Sequence, residues 1–173
     1  MKHITQALIL TLAAVLVAGC SGELTDNAAP VELVVTHTQN LTHLDLAPND
    51  DPDCDENIGT VNLQIFPKNE QAEGNFIQVR VTRYRVSYRR TDGGTQVPAP
   101  FVRSIDTLIG VGTSVGSNFT VLQSDAVNQA PFAALQPQNG GVDVETRRPL
   151  VRLEVILEVF GETLGGDNVY DST

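Results

Sequence analysis

Cys20 is the residue whose position in the sequence most clearly predicts chemistry. It follows an apolar run, residues 7–18 (ALILTLAAVLVA), and the chain turns polar directly after it at Ser21. An ionised thiol is a strong nucleophile and can be alkylated. A helix over residues 7–18 is roughly 18 Å long, which is short of the ~30 Å hydrocarbon core of a bilayer. With the positive Lys2 before it, this run is therefore typical of a signal peptide and not of a membrane span.

The tetrapeptide around this cysteine, Val17-Ala18-Gly19-Cys20, resembles the lipobox of bacterial lipoproteins. The resemblance implies that diacylglycerol is attached to the Cys20 thiol, that residues 1–19 are removed, and that the new amino group is acylated, typically by palmitate. Several acyl chains hold a protein stably at a bilayer, whereas one holds it only marginally. In this family an aspartate after the cysteine is associated with inner-membrane retention. Ser21 therefore favours the outer membrane, in a cell that has one.

The charge of the chain limits the partners it can bind. Eleven Lys and Arg residues stand against 21 Asp and Glu residues, for a net charge of −10, and loss of Lys2 makes it −11. Such an excess argues against binding to nucleic acid or to anionic lipid headgroups. Most of the basic residues lie in the middle of the chain: Arg80, Arg83, Arg85, Arg89, Arg90 and Arg103. They predict a solvated strand face, and the alternative is attraction to the acidic residues of segment 20–67.

Alternation of apolar and polar residues predicts an all-β fold. The segments TVNLQIF, FIQVRV, YRVSY and LVRLEVILEVF alternate with a period of two, and long helical periodicity is absent. The apolar side changes parity near Thr82–Arg83, which predicts a bulge at that point. Seven or eight short strands separated by turns predict an antiparallel β-sandwich.

Two of these segments also resemble a known family. VRLEVILEVFGE is similar to the long penultimate strand of fibronectin type III and related immunoglobulin-like domains. VTRYRVSYRRTDGG resembles their central strand through Val81, Tyr84, Val86 and Tyr88. The resemblance covers roughly residues 58–172 and implies an immunoglobulin-like β-sandwich. The family usually buries a tryptophan in the preceding strand; this chain has none, so we expect Phe66 or Phe76 to fill that volume.

The sequence divides into three parts on this interpretation. Residues 1–19 are the lipoprotein signal peptide, and residues 20–57 are a lipidated tether that contains an acidic loop. The tether also contains a candidate first strand at Val31, Leu33 and Val35. Residues 58–173 form the sandwich domain, which is of ordinary size for a single domain.

The acidic loop, NDDPDCDENIG, contains a candidate calcium site. Asp51, Asp53, Asp55 and Asn57 alternate as in the opening of an oxygen-rich calcium loop, and a hard dication favours clustered carboxylates. The pattern departs from such a loop at Glu56, where glycine is expected. A solvated acidic linker is therefore the alternative interpretation. Cys54 in the same loop is flanked by carboxylates that disfavour its thiolate, and once Cys20 is lipidated it has no partner for a disulfide within the chain.

Candidates for catalysis are weak. Gly112–Gly116 (GTSVG) matches the G-x-S-x-G pattern around Ser114, but a nucleophile elbow requires a helix after the serine, and SNFTVL predicts a strand. His37 and His43 are the histidines that remain after processing, and neither lies beside a recognisable nucleophile or a set of zinc ligands.

Together these features predict a noncatalytic envelope lipoprotein, anchored to the membrane through Cys20, that acts in binding, adhesion or assembly of a surface structure. The expected partners are the membrane and other envelope proteins, with no nucleic acid. No cofactor is expected apart from the candidate calcium ion at Asp51, Asp53, Asp55 and Asn57. A calcium-stabilised binding module and a hydrolase with an unrecognised site are the alternatives.

Overall fold

Two antiparallel sheets packed face to face make up the computed structural model, which describes residues 29–37, 57–69, 72 and 74–173. The three-stranded sheet has the order β1-β2-β5, and the four-stranded sheet has the order β4-β3-β6-β7. The strands are β1 (Val31–His37), β2 (Asn57–Pro67), β3 (Val79–Arg90), β4 (Phe101–Ile109), β5 (Ser114–Leu122), β6 (Leu153–Thr163) and β7 (Asn168–Ser172). The prediction of an all-β antiparallel sandwich is confirmed, with seven strands among the described residues.

The core follows the alternation of the sequence. Val61, Leu63 and Ile65 of β2 are buried between the sheets, as are alternate residues of β3 and β6. On β3 the pairing register shifts between Val81 and Arg83 against both of its neighbours, which confirms the predicted bulge. Because of this extra residue, Tyr84 returns to the buried side of the strand.

The first strand is an integral part of the sandwich. β1 pairs with β2 over its whole length, and Val31, Leu33 and Val35 are buried in the common core. At its free edge the backbone N–H of Val35 donates a 2.7 Å hydrogen bond to the carboxylate of Asp171 in β7. The folded unit thus extends to the amino-terminal side of residue 58, because these three aliphatic side chains are buried only when the strand joins the sheet.

The position of the missing tryptophan is not filled as expected. Phe66 is 50% exposed and Phe76 is 75% exposed, so neither enters the core and this expectation is wrong. Phe66 follows the buried Ile65, and successive side chains of a strand point to opposite faces. Phe119 of β5 is buried instead and packs edge to face on Tyr84, with 6.3 Å between the ring centroids.

Tyrosine hydroxyls tie the two sheets together along β5. The backbone N–H of Thr120 donates to the hydroxyl of Tyr84 at 3.0 Å, and the hydroxyl of Tyr88 donates to the carbonyl of Val121 at 2.7 Å. Both tyrosines belong to β3 in the opposite sheet. They therefore satisfy backbone groups on the free edge of β5, where no further strand is paired among the described residues.

The strand directions give the sandwich two different poles. The N-terminal pole contains Pro30, whose carbonyl accepts from the backbone N–H of Lys68, and the connections 68–78, 110–113 and 164–167. The loop pole contains the connections 91–100 and 123–152, and the second of these includes three short 3-10 segments. No helix in the described ranges is long and apolar enough to cross a membrane.

Candidate functional site

Most residues selected from the sequence lie outside the described residues. This holds for Cys20, His43, Asp51, Asp53, Cys54 and Asp55. His37 is the last residue of β1, and Asn57 is the first residue of β2, where it pairs with Leu122. The lipidation and calcium predictions therefore remain predictions.

Ser114 has surroundings that differ from those of a catalytic serine. It is exposed and begins β5, directly after the turn Gly110–Thr113, in which the Thr113 hydroxyl donates to the Gly110 carbonyl at 2.7 Å. A strand follows this serine, whereas a nucleophile elbow requires a helix there.

The loop pole is organised by a buried arginine. The side chain of Arg90, at the end of β3, is only 2% exposed, and its guanidinium donates to both carboxylate oxygens of Asp92 at 2.7 and 2.9 Å. The same group donates to Asp143 at 2.9 Å and lies 3.6 Å from Glu145. Asp143 belongs to the long β5–β6 connection, so Arg90 joins the two described connections of the loop pole. We call Arg90, Asp92, Asp143 and Glu145 the ionic cluster.

Asp92 is the member of the ionic cluster nearest to Arg90 in sequence. Besides the hydrogen bonds from the guanidinium, its carboxylate accepts hydrogen bonds from the backbone N–H groups of Gly94 at 3.2 Å and Arg152 at 2.9 Å. The hydrogen bond from Arg90 is the main reason that the pKa of this carboxyl lies well below its usual range. Because Arg152 directly precedes β6, Asp92 fixes the start of that strand to the β3–β4 connection.

Asp143 anchors the long connection. One of its carboxylate oxygens accepts from Arg90 and from both the backbone N–H and the hydroxyl of Thr146, at 2.8 and 2.7 Å. The hydrogen bond from Arg90, followed by those from Thr146, lowers the pKa of Asp143 to about 2 although burial opposes the shift. Its other oxygen is buried and has no hydrogen-bond partner among the described residues.

Glu145 is the more exposed carboxylate that joins the β5–β6 connection to the β3–β4 connection. Its carboxylate accepts the backbone N–H groups of Thr95 at 2.7 Å and Gln96 at 2.9 Å, and also the Thr95 hydroxyl at 2.5 Å. These hydrogen bonds lower the pKa of Glu145, with that from Gln96 contributing most. Each carboxylate of the ionic cluster thus accepts at least one backbone N–H group, and those of Asp92 and Glu145 accept from a segment distant in sequence.

This arrangement suits a rigid scaffold better than acid-base chemistry. A general acid or base works best with a pKa near the operating pH, and the carboxyls of the ionic cluster have pKa values below their usual range. Within the described part of the chain, no group of three or more His, Cys, Asp or Glu residues is arranged to hold a metal ion. The ionic cluster therefore fixes the relative positions of the β3–β4 and β5–β6 connections.

The two described connections of the loop pole expose apolar and basic side chains. Val97, Val144 and Leu150 are exposed there, and Val144 is directly followed by Glu145 of the cluster. Arg147 and Arg148 are exposed and make no ion pair within the described ranges. Arg147 has a φ of 59°, in the left-handed region that residues other than glycine adopt infrequently. Arginine is enriched at protein–protein interfaces. We call these five residues the loop-pole patch.

The arginines of β3 are paired within their own sheet. Arg80 makes a two-oxygen hydrogen-bonded pair with Asp106 at 2.7 Å, Arg85 lies 3.5 Å from Glu158, and Arg89 pairs with Glu154. The guanidinium of Arg83 lies over the ring of Phe160, 4.9 Å from its centroid. Four of the six arginines for which a solvated strand face was predicted thus lie on such a face.

Two arginines of that set depart from the predicted solvated face. Arg103 points between the sheets and donates to the hydroxyl of Thr120 at 2.7 Å, and Arg90 is the centre of the ionic cluster. The burial of Arg90 was not predicted, because it was grouped with Arg89 and the other arginines as one solvated face. One signal was available: Asp92 in the turn TDGG lies two residues later, within reach of a side chain that leaves the strand on the buried side.

The fold and this surface define the protein as a β-sandwich with two connections held together by the ionic cluster at one pole. Comparison with known proteins adds no closer assignment. No protein-family model matches the sequence, no curated protein matches it, and no solved structure matches the chain.

Proposed function

We propose that the protein is a noncatalytic lipoprotein of the bacterial envelope, held to a membrane through lipidated Cys20, that binds a protein partner with its loop-pole patch. The observation that carries this proposal is the placement of the poles. The described chain begins at the N-terminal pole with Ala29, nine positions after Cys20 in the sequence, and the connections fixed by the ionic cluster lie at the opposite pole. Binding surfaces are often loops positioned by a rigid scaffold.

The resemblance to fibronectin type III domains supports a binding role. The two segments that carry the resemblance form β3 and β6, which pair with each other in the four-stranded sheet. Since one fold hosts many roles, the proposal depends on the loop-pole patch and the anchor and not on the fold alone. Binding, adhesion and assembly of a surface structure are the roles such a placement serves.

The anchor is tested with two cysteine variants. Cys20→Ser removes the lipid acceptor, so we expect the protein to leave the membrane fraction, whereas Cys54→Ser should leave its distribution unchanged. Intact-mass spectrometry of the membrane-extracted wild type should show a chain that begins at residue 20 and carries acyl groups. A wild-type chain with an unmodified cysteine, or equal fractionation of the two variants, would contradict the proposed anchor.

The binding surface is tested with two valines of nearly equal exposure. Val144 belongs to the loop-pole patch, and Val102 lies on the outer face of β4; both are more than half exposed. Crosslinking in intact cells should recover a partner with wild type and with Val102→Asp, and recover it poorly with Val144→Asp. Equal recovery from the two variants, or no crosslinked partner at all, would remove the loop-pole patch from consideration.

Calcium binding at Asp51, Asp53, Asp55 and Asn57 is kept as an additional proposal, on the sequence pattern alone. A ligand that binds only the native state must raise stability. The melting temperature in calcium should therefore exceed that in chelator, and Asp53→Asn should reduce the difference. Equal melting temperatures would refute it. A hydrolase activity at Ser114 has the least support, and unchanged turnover of ester and glycan substrates after Ser114→Ala would remove it.

A further inference from the structure

Each connection of the N-terminal pole exposes one apolar side chain. Phe76 in connection 68–78 is 75% exposed, Val111 in connection 110–113 is 40% exposed, and Leu164 in connection 164–167 is 47% exposed. Two of these connections are joined, because the backbone N–H of Gly165 donates to the carbonyl of Phe76 at 2.9 Å. Phe76 and Leu164 therefore belong to one contiguous part of the surface.

Two of these connections also lack charge at their tips. The β4–β5 turn reads Gly-Val-Gly-Thr, and the β6–β7 turn begins Leu-Gly-Gly before Asp167, whose backbone N–H and carboxylate both bond to the hydroxyl of Thr163. The loop pole differs, since charged residues lie beside its exposed apolar ones: Glu145 directly follows Val144, and Arg147 and Arg148 shortly precede Leu150. Uncharged turns with exposed aromatic and aliphatic residues can enter the boundary between headgroups and acyl chains.

The distance to the proposed anchor is short. Ala29, the first described residue, lies nine positions after Cys20, and a fully extended chain spans at most about 3.5 Å per residue, or about 30 Å here. The N-terminal pole therefore lies within about 30 Å of any bilayer that holds the lipids of Cys20. No comparable constraint applies to the loop pole, which is a strand length of roughly 35–40 Å further away.

From these observations we infer that the N-terminal pole rests on the lipid surface, with Phe76, Val111 and Leu164 inserted at the headgroup boundary. This inference rests on the proposed anchor at Cys20. Contact at three points orients the sandwich with its strands extending away from the membrane, so that the loop-pole patch faces away from the lipid surface. The occupant of this surface is the bilayer itself, recognised through apolar contact, because the strongly negative chain disfavours anionic headgroups.

Tryptophan fluorescence gives a direct test, because the chain contains no tryptophan. Phe76→Trp places a reporter at the N-terminal pole, and Val144→Trp places a matched reporter at the loop pole. The full chain is extracted from membranes and reconstituted in phosphatidylcholine vesicles with or without bromine atoms on the acyl chains. We expect the emission of the Phe76→Trp protein to shift to shorter wavelength and to be lost with brominated lipid, and that of Val144→Trp to stay unchanged.

Further variants show whether the contact is shared. Val111→Ser and Leu164→Ser, introduced together into the Phe76→Trp protein, should restore most of the quenched emission. Equal quenching of the two reporters, or no quenching of Phe76→Trp, would overturn the inference. A blue shift of Phe76→Trp that grows with protein concentration in the absence of vesicles would also overturn it, because a second copy of the chain would then cover this surface.

Mass spectrometry separates this inference from the proposed anchor. If Cys20 is lipidated and the Phe76→Trp emission is unaffected, the anchor stands and the lipid contact fails. If Cys20 is unmodified, the anchor fails. The lipid contact is then decided with the Cys54→Ser chain, whose remaining thiol at Cys20 is coupled to a maleimide lipid in the same vesicles. Loss of the Phe76→Trp emission there supports the contact, and unaffected emission refutes it.

Discussion

Replacing Arg90 with methionine removes the positive charge from a site where two carboxylates are almost completely buried. The side chains of Asp92 and Asp143 are 0% and 1% exposed, so neither regains water when the guanidinium is lost. Breaking a buried ion pair by removing one partner costs about 3–5 kcal/mol, because an uncompensated charge stays behind. Domains are stable by about 5–15 kcal/mol in total. Arg90→Met should therefore remove a large fraction of the stability and lower the melting temperature by about 6–20 °C.

The neighbouring residue provides a matched control. Arg89 carries the same side chain on the same strand, but it is 69% exposed and pairs with the exposed Glu154. Exposed ion pairs contribute about 0–1 kcal/mol, so Arg89→Met should be nearly neutral. Urea unfolding followed by circular dichroism measures both variants against wild type. If the free energies of unfolding of the two variants fall by the same amount, the ionic cluster does not hold the loop pole as described.

A second substitution tests why Arg90→Met loses stability. Asp143→Asn in the Arg90→Met background removes one of the buried charges left without a partner, so it should recover about 1–3 kcal/mol. The same substitution in wild type breaks the pair and should destabilise the protein. A double variant that is less stable than Arg90→Met alone would contradict the assignment of the cost to unpaired buried charge.

Three further predictions concern protonation and packing. The hydrogen bond from Arg90 lowers the pKa of Asp143 from an ordinary 3.8 to about 2, which stabilises the fold by roughly 2 kcal/mol above pH 4. This stabilisation is lost as pH falls from 4 through 2, so urea unfolding should depend less on pH in that window for Asp143→Asn than for wild type. A methyl group at Gly94 would overlap the Arg90 guanidinium, which the ionic cluster holds in place, so thermal melting should show Gly94→Ala to be destabilised and Gly116→Ala, which has room, to be nearly unchanged. Burial raises the pKa of Tyr88 to about 12, so an ultraviolet titration should show a phenolate step near pH 12 that disappears in Tyr88→Phe.

The strands of this protein were predictable because they depend on local pattern. Alternation in β2, β3 and β6 determines which side chains face the core, and the change of parity at Thr82–Arg83 determines the bulge. Phe66 shows where that reasoning was applied incompletely. Phe66 follows the buried Ile65, so alternation already placed its side chain on the outer face. The expectation that it replaces a tryptophan did not take this into account.

The loop pole was not predictable in the same way. Arg89 and Arg90 are neighbours with the same side chain, and we predicted a solvated face for both. Successive side chains of a strand point to opposite faces, so Arg90 shares the side of the buried Val86, but this parity does not identify the carboxylates that it meets. Arg90 becomes a buried ion-pair centre because a carboxylate 53 positions later, Asp143, is brought against it when β3 and β6 pair and the long connection folds back. The sequence alone determined the strands, their buried faces and the lipobox-like start, since each depends on residues a few positions apart. The tertiary structure decided which charges are buried and which pole carries the pinned loops, because those contacts form only between residues that are distant in the chain.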